Sequence, residues 1–184
     1  MPNQTAVRAL QFPDGFKMEI SIDDGSTFVD VGVLSGGAQV TFNWEEQVID
    51  AGNVTELENY IKNLSVALAP SALLSWDPAI ITQIWAGIFT NTAATDPGVG
   101  FDIENVATHR ITQTKKIVRL THYTDTALTI EDFQFTLYNS TVDAGGSMNF
   151  KGANEDGLNE ITASFTGRPA FASAGELFKF FMLT

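Results

Sequence analysis

The sequence predicts a mainly β protein, an antiparallel β-sandwich or partial barrel with one short flanking α-helix at about residues 77–86. Three observations lead there. Apolar residues recur at every second position in several short runs, as half-buried strands require. Turn chemistry rich in Gly, Pro, Asn and Asp separates those runs. One stretch, LSVALAPSALLSWDPAIITQIWAG at residues 64–87, changes from a spacing of two to a helical spacing partway along.

The elements follow in order. Met18, Ile20 and Ile22 alternate with Glu19, Ser21 and Asp23, and Val29, Val31 and Val33 alternate beyond Asp24-Gly25. This pattern is a β-hairpin with its turn at residues 23–27. After Gly36-Gly37, Val40, Phe42 and Trp44 begin a strand whose other face reads Gln39, Thr41 and Asn43. Residues 45–59, EEQVIDAGNVTELEN, hold neither a strand period nor a helical stripe and carry Glu45, Glu46, Asp50, Glu56 and Glu58. They are expected to form a long loop between two strands, of the sort that compact domains keep for a function.

The next strand sets Leu64, Val66 and Leu68 against Asn63, Ser65 and Ala67. Val40, Phe42, Leu64 and Val66 are expected to face the core. The helix then has Asp77 as its cap, Pro78 as its first residue and Gly87 as its stop. Its face is Ile80, Ile81, Ile84, Trp85 and Ile88. Residues 90–100 read as loop, and 117–123, 128–138, 161–165 and 177–183 as strands, making roughly seven or eight in all.

The chain of 184 residues, 44% hydrophobic, is expected to form a single domain over 1–184 with an N-terminal extension at 1–15. It has no cysteine, which excludes disulfides, thiolate metal sites and cysteine nucleophiles. A net charge of −12 and a pI near 4.3 argue against a nucleic-acid grip and allow a polyanion to pass without sticking. The start lacks the apolar centre of a secretion leader, and no run approaches the ~18 apolar residues of a membrane span. A soluble protein made without a leader is expected, and the Asn-x-Ser/Thr patterns at Asn3, Asn53, Asn63 and Asn139 are read as chance.

Catalytic and metal motifs are lacking. His109 and His122, even with Asp125, read as ordinary loop or strand histidines. Asp23-Asp24-Gly25 and Asn154-Glu155-Asp156-Gly157 are hairpin turns without a full calcium-ligand alternation. Glu131 and Asp132 adjoin on a strand, so they point to opposite faces and cannot act together as acid and base. No phosphate loop, nucleophile elbow, dinucleotide fingerprint or zinc-protease motif occurs. We expect no enzyme, no cofactor and no metal. One basic cluster remains, Arg110, Lys115, Lys116 and Arg119. It is open to three readings: a solvated strand rim, a contact with the acidic stretch of another copy, or a phosphate-binding patch.

The order of these features resembles one family, the major tail tube proteins of tailed bacteriophages, related to the tube protein of type VI secretion. The resemblance rests on MEISIDDGSTFVDVGVLSGGAQVTFNW, on the strand that turns through Asp77-Pro78 into the apolar helix, and on LNEITASFTGRPAFASAGELFKFFML. It spans residues 18–183, with 90–110 matching nothing. It implies a virion structural protein, assembled in the host cytoplasm into stacked hexameric rings that conduct DNA through their lumen without specific binding. Other tail proteins, at the tip and the terminator, would be its partners, and no membrane is involved. On this resemblance Gln39, Thr41, Asn43, Asn63 and Ser65 line the channel. Trp44, Glu45, Glu46, Val48, Ile49 and Glu56 meet the next ring. The basic cluster becomes a subunit contact. The alternative is a monomeric β-sandwich that binds carbohydrate or another surface, with Trp44, Trp76 and Trp85 as stacking platforms; a small hydrolase ranks third.

Overall fold

A computed structural model describes residues 15–34, 36–51, 54–70, 78–92, 100–102, 113–124, 129–143, 145–150, 160–169 and 176–182. Among them run β1 (Gly15–Ser21), β2 (Val29–Val33), β3 (Ala38–Ala51), β4 (Val54–Pro70) and α1 (Pro78–Ile84). Then follow β5 (Thr90–Thr92), β6 (Gly100–Asp102), β7 (Lys116–Tyr123) and β8 (Glu131–Val142). The last are β9 (Ser147–Asn149), β10 (Glu160–Thr162), β11 (Phe165–Gly167) and β12 (Phe178–Met182). Among the described residues the protein is mainly antiparallel β with one short helix.

Eight strands form one sheet in the order β2-β1-β7-β8-β11-β4-β3, and β12 also pairs with β8. β8 bonds β7 along one edge. Its other edge takes β11 at residues 140–142 and β12 at 133–137. β11 and β12 thus occupy one lane of the sheet in succession. β9 with β10 and β5 with β6 make two small separate ladders.

The side-chain alternation of each strand sorts the sheet into two faces. Met18, Ile20, Val66, Leu68, Val118, Leu120, Phe135, Leu137, Val142 and Phe165 lie on one of them and form the core. α1 covers that face with Ile80, Ile81, Ile84 and the following Trp85. Fully burying one such side chain contributes about 1.5–3 kcal/mol. The helix begins at Pro78, as the sequence implies, while the expected cap Asp77 lies outside the described residues. Gly87, with φ of 86°, turns the chain away after Trp85. The first hairpin also forms as expected: Ile20 pairs with Val29, and Asp23 closes the turn by accepting from the Thr27 amide.

The expected loop at 45–59 is not a loop. Glu45 to Ile49 pair with Lys62 to Glu58, and Ala51 pairs with Val54. Most of the stretch is therefore strand, the outer half of a long hairpin. Its period was hidden because no core lies beneath it to select apolar residues. The expected loop at 90–100 likewise begins and ends in strand, with Thr90 paired to Asp102 and Thr92 to Gly100. The run at 161–165 divides between β10 and β11, which belong to different ladders.

Lys116 departs most from expectation. A strand-rim or contact lysine should be wet, yet it is 1% exposed, on the core side of β7, and donates from Nζ to the Thr114 carbonyl at 2.9 Å. Burial pushes its ammonium down from 10.5 to about 8. The unfolded chain keeps this proton up to pH 10.5 and the folded one only to about 8, so the unfolded state binds more protons in between. The penalty is complete below pH 8 and fades as the pH rises toward 10.5. A displacement of one in pKa is worth about 1.4 kcal/mol, which puts the penalty at about 3 kcal/mol; with the bond to the Thr114 carbonyl lost in exchange, we expect Lys116→Met to stabilise the fold by roughly 2 kcal/mol at pH 7. Urea denaturation of both forms checks this. Their difference should shrink above pH 8, and no gain at pH 7 would mean that the lysine is solvated.

Candidate assembly surface

The β3–β4 hairpin carries the candidate site. In its inner half Val40 pairs with Leu68 and Phe42 with Val66, on the core face. Thr41 pairs with Ala67, Gln39 with Ala69 and Asn43 with Ser65, on the opposite face. Then the register slips. Asn43 pairs with Ser65 but Glu45 with Lys62, so Trp44 alone faces the two residues Asn63 and Leu64. This is a β-bulge, and Asn63 adopts the left-handed conformation it needs, with φ of 54°. Asparagine tolerates that region better than other residues with a Cβ. Its Nδ2 donates to Glu45 Oε2 at 2.8 Å across the hairpin.

The bulge reverses the parity of β4. Beyond it Ile61 joins the face of Trp44, while Lys62 and Tyr60 join the face of Asn43. The core face therefore continues outward as an apolar stripe past the reach of α1. Phe42 is 46% exposed, Trp44 51%, Val48 49%, Ile61 58% and Leu64 38%. β12 extends the stripe: the Phe178 ring stands 5.1 Å from Phe42, and Phe180 stands 5.4 Å from Phe133. Phe178, Phe180 and Met182 are exposed. Isolated exposed apolar side chains are ordinary, but a continuous run of them marks an interaction surface. Of the residues expected in the core, Val66 is buried and Val40 packs against it, whereas Phe42 and Leu64 belong to this open stripe.

The opposite face has another character. Gln39, Thr41, Asn43 and Ser65 lie on it together, and Asn63 reaches it through Glu45. Thr166, paired with both Ala67 and Thr141, extends it across β11. These side chains are small or uncharged. The expectation of a wall without cations fails at the outer end, where the bulge turns Lys62 onto this face and its Nζ donates to Gln47 Oε1.

The residues expected at a ring-stacking contact do not share one face. Trp44, Glu46 and Val48 alternate with Glu45 and Ile49, as a strand requires. Glu56 lies in β4, among residues whose side chains fall outside those described. The basic cluster is not assembled either. Arg119 pairs with Glu19 at 2.6 Å and stacks on Phe28 at 3.8 Å. Lys116 is buried on the other face, Lys115 is exposed, and Arg110 lies outside the described residues.

Of the expected stacking platforms, Trp85 is core, Trp44 is exposed and Trp76 lies outside the described residues. His122 sits against Phe133 and contacts Asp132 Oδ2 through Nδ1 at 3.1 Å, while His109 and Asp125 lie outside the description. Among the described residues no cluster of His, Asp and Glu could hold a metal, and no helix is long and apolar enough to cross a membrane. Sequence reading missed the bulge and the exposed aromatics of β12. Asn63 opposite an interrupted apolar alternation was the available signal for the first.

Among the described residues the fold and site define an antiparallel β protein, one large sheet with two small ladders, and a two-faced hairpin projecting from its core. No family model and no curated protein matches the sequence. Solved structures do show likenesses. One chain, from the anti-feeding prophage cap that terminates the tube, is 8% identical with a TM-score of 0.48, covering 90% of this chain and 88% of its own. A chain of an extracellular contractile injection system, from its sheath–tube complex in the extended state, is 10% identical with a TM-score of 0.46, covering 97% and 98%. A third, from the anti-feeding prophage baseplate, is 12% identical with a TM-score of 0.43, covering 91% and 92%.

Asn63 gives the first test of this surface. Asn63→Gly keeps the left-handed conformation and should cost little, whereas Asn63→Val should lose about 1–2 kcal/mol in urea denaturation. Leu64→Lys should leave the subunit folded, because the position is open, while Val66→Lys would bury an unpaired charge and abolish folding. Circular dichroism distinguishes the pair.

Proposed function

We propose that this protein is the structural subunit of a phage-tail-like tube, built by self-assembly and without enzymatic activity. One observation carries the reading: a long hairpin with an apolar stripe on one face and, along the inner half of the other, small uncharged side chains. The sequence resemblance to tail tube proteins supports the same conclusion. In this reading the stripe is covered by neighbouring copies. β3, a 14-residue strand at the edge of the sheet, offers its free backbone groups to another copy's sheet. Hexameric rings stack into the tube, joined to other tail proteins at its two ends.

Gln39, Thr41, Asn43, Asn63 and Ser65 form the wall of the lumen. Uncharged side chains release few counterions from a passing polyphosphate and so hold it weakly. Lys62 stands at the outer end of this face, where its Nζ donates to Gln47 Oε1. Trp44, Glu46 and Val48 meet a neighbouring copy through the stripe, and Glu45, Ile49 and Glu56 lie beside them at the ring boundary. Arg119 is spent on Glu19, so Lys115 is the member of the basic cluster offered to an acidic neighbour. The rival reading, a monomeric binding module, draws on exposed Trp44.

Sedimentation and negative-stain microscopy of the purified protein test this. Rings or tubes are expected at high concentration, and Ile61→Glu should abolish them without changing the circular dichroism. A protein that stays monomeric at every concentration and in the particle would leave the binding module. Thr41→Lys probes the wall. Tubes should still form, but they should now retain duplex DNA at 50 mM salt and lose it steeply toward ~200 mM, unlike the wild type. Equal retention by both would move the lumen elsewhere.

A further inference from the structure

Residues after α1 and between β8 and β9 line a cavity of about 280 Å³ that is open to solvent. Trp85, Phe89, Asp143, Gly146 and Met148 are among its lining residues. The Trp85 and Phe89 rings stand 5.4 Å apart at 37° and form an aromatic wall. A Cβ at Gly146 would lie 2.6 Å from Trp85 Cζ2, so only glycine lets this turn sit against the indole.

The other polar groups of the lining are already engaged. Gln113 donates from Nε2 to the Val142 carbonyl and accepts the Val142 amide at Oε1. Ser147 Oγ bonds Thr162 Oγ1 at 2.7 Å. Asp143 commits its backbone amide to the Ser164 carbonyl, but among the described residues nothing engages its carboxylate. The lining therefore brings together two aromatic rings, a polarizable thioether and one carboxylate that has no partner among the described residues.

That combination selects a cation with an apolar stem. Ring quadrupoles attract a guanidinium or ammonium, the thioether and rings accommodate its methylenes, and the carboxylate completes the charge. We propose that this cavity binds the end of an arginine or lysine side chain presented by a basic partner protein. The net charge of −12 favours such a partner over a second copy. Several of the chain's own cations are unavailable, since Lys17 and Arg119 are paired with Glu19 and Lys116 is buried, whereas Lys115 remains exposed. The cavity opens beside α1, away from the uncharged face of the hairpin, and binding can be read on the unassembled subunit. Its failure is thus separate from any failure of self-assembly.

The full chain is titrated with acetyl-arginine amide, acetyl-lysine amide and the neutral acetyl-norleucine amide, following the Trp85 indole and Gly146 amide resonances. The two cations should give saturable shifts at both positions and norleucine none. Asp143→Asn should weaken arginine amide at least about tenfold while the rest of the spectrum stays unchanged. Equal binding of norleucine would reduce the site to an apolar groove, and no saturable shift would mean it is closed; either overturns the proposal. Spermidine is the second source of the same chemistry. Tighter binding of spermidine than of arginine amide would assign the cavity to a free polyamine and overturn the protein partner.

Discussion

The fold depends on the hydrogen bonding of β8 along both its edges. Through β7 it is tied to the β1–β2 hairpin, and through β11 to the β3–β4 hairpin. Its residues 133–142 alternate between core and exterior, so any slip in its register would expose Phe135, Leu137 and Val142 together. A second left-handed asparagine, Asn139 with φ of 49°, lies where Lys116 pairs with Ser140 but Val118 with Leu137. The extra residue there brings Ser140 and Val142 onto the core face. Its side-chain amide donates to the Arg168 carbonyl, holding the lane of β11 in place.

Asn63 performs the same operation on β4 with the opposite outcome. At Asn139 the parity change fills the core; at Asn63 it prolongs the core's apolar face beyond the helix that covers it among the described residues. A monomer gains nothing from Ile61 and Trp44 side by side in water. Unpaired edges and open apolar faces are liabilities that soluble proteins usually blunt with charge, proline or a covering element. On the stripe face only Glu46 interrupts the row of Phe42, Trp44 and Val48. The cost makes physical sense when another surface completes the face.

This division explains what the sequence could and could not reveal. The first hairpin, the apolar helix and the β7 and β8 runs were legible because each has a core beneath it that enforces the period. Residues 45–59 were read as loop for the complementary reason: their strand geometry is set by pairing with β4, not by burial. Gln39, Thr41, Asn43 and Ser65 share one face because the period of two holds on the inner hairpin. Lys62 escaped notice because one bulge moves every later side chain across the sheet. Lys116 and Arg119 look like neighbours in a cluster, but their spacing of three on β7 sends one into the core and leaves the other beside Glu19.

The charge of the chain and its apolar stripe act in opposite directions, and their ranges differ. Apolar burial operates at contact and grows with the area removed from water, at about 25 cal/mol per Å². Repulsion between copies of net charge −12 reaches further, over a Debye length of ~8–10 Å at ordinary salt. In the proposed assembly, free subunits would therefore meet repulsion before attraction, which opposes chance association through the open stripe at low concentration. Attraction wins only when several contacts close together, as when a strand adds to an edge while its apolar face is covered. A surface arranged in this way favours addition to an existing assembly, where many contacts are offered at once, over the encounter of two free copies.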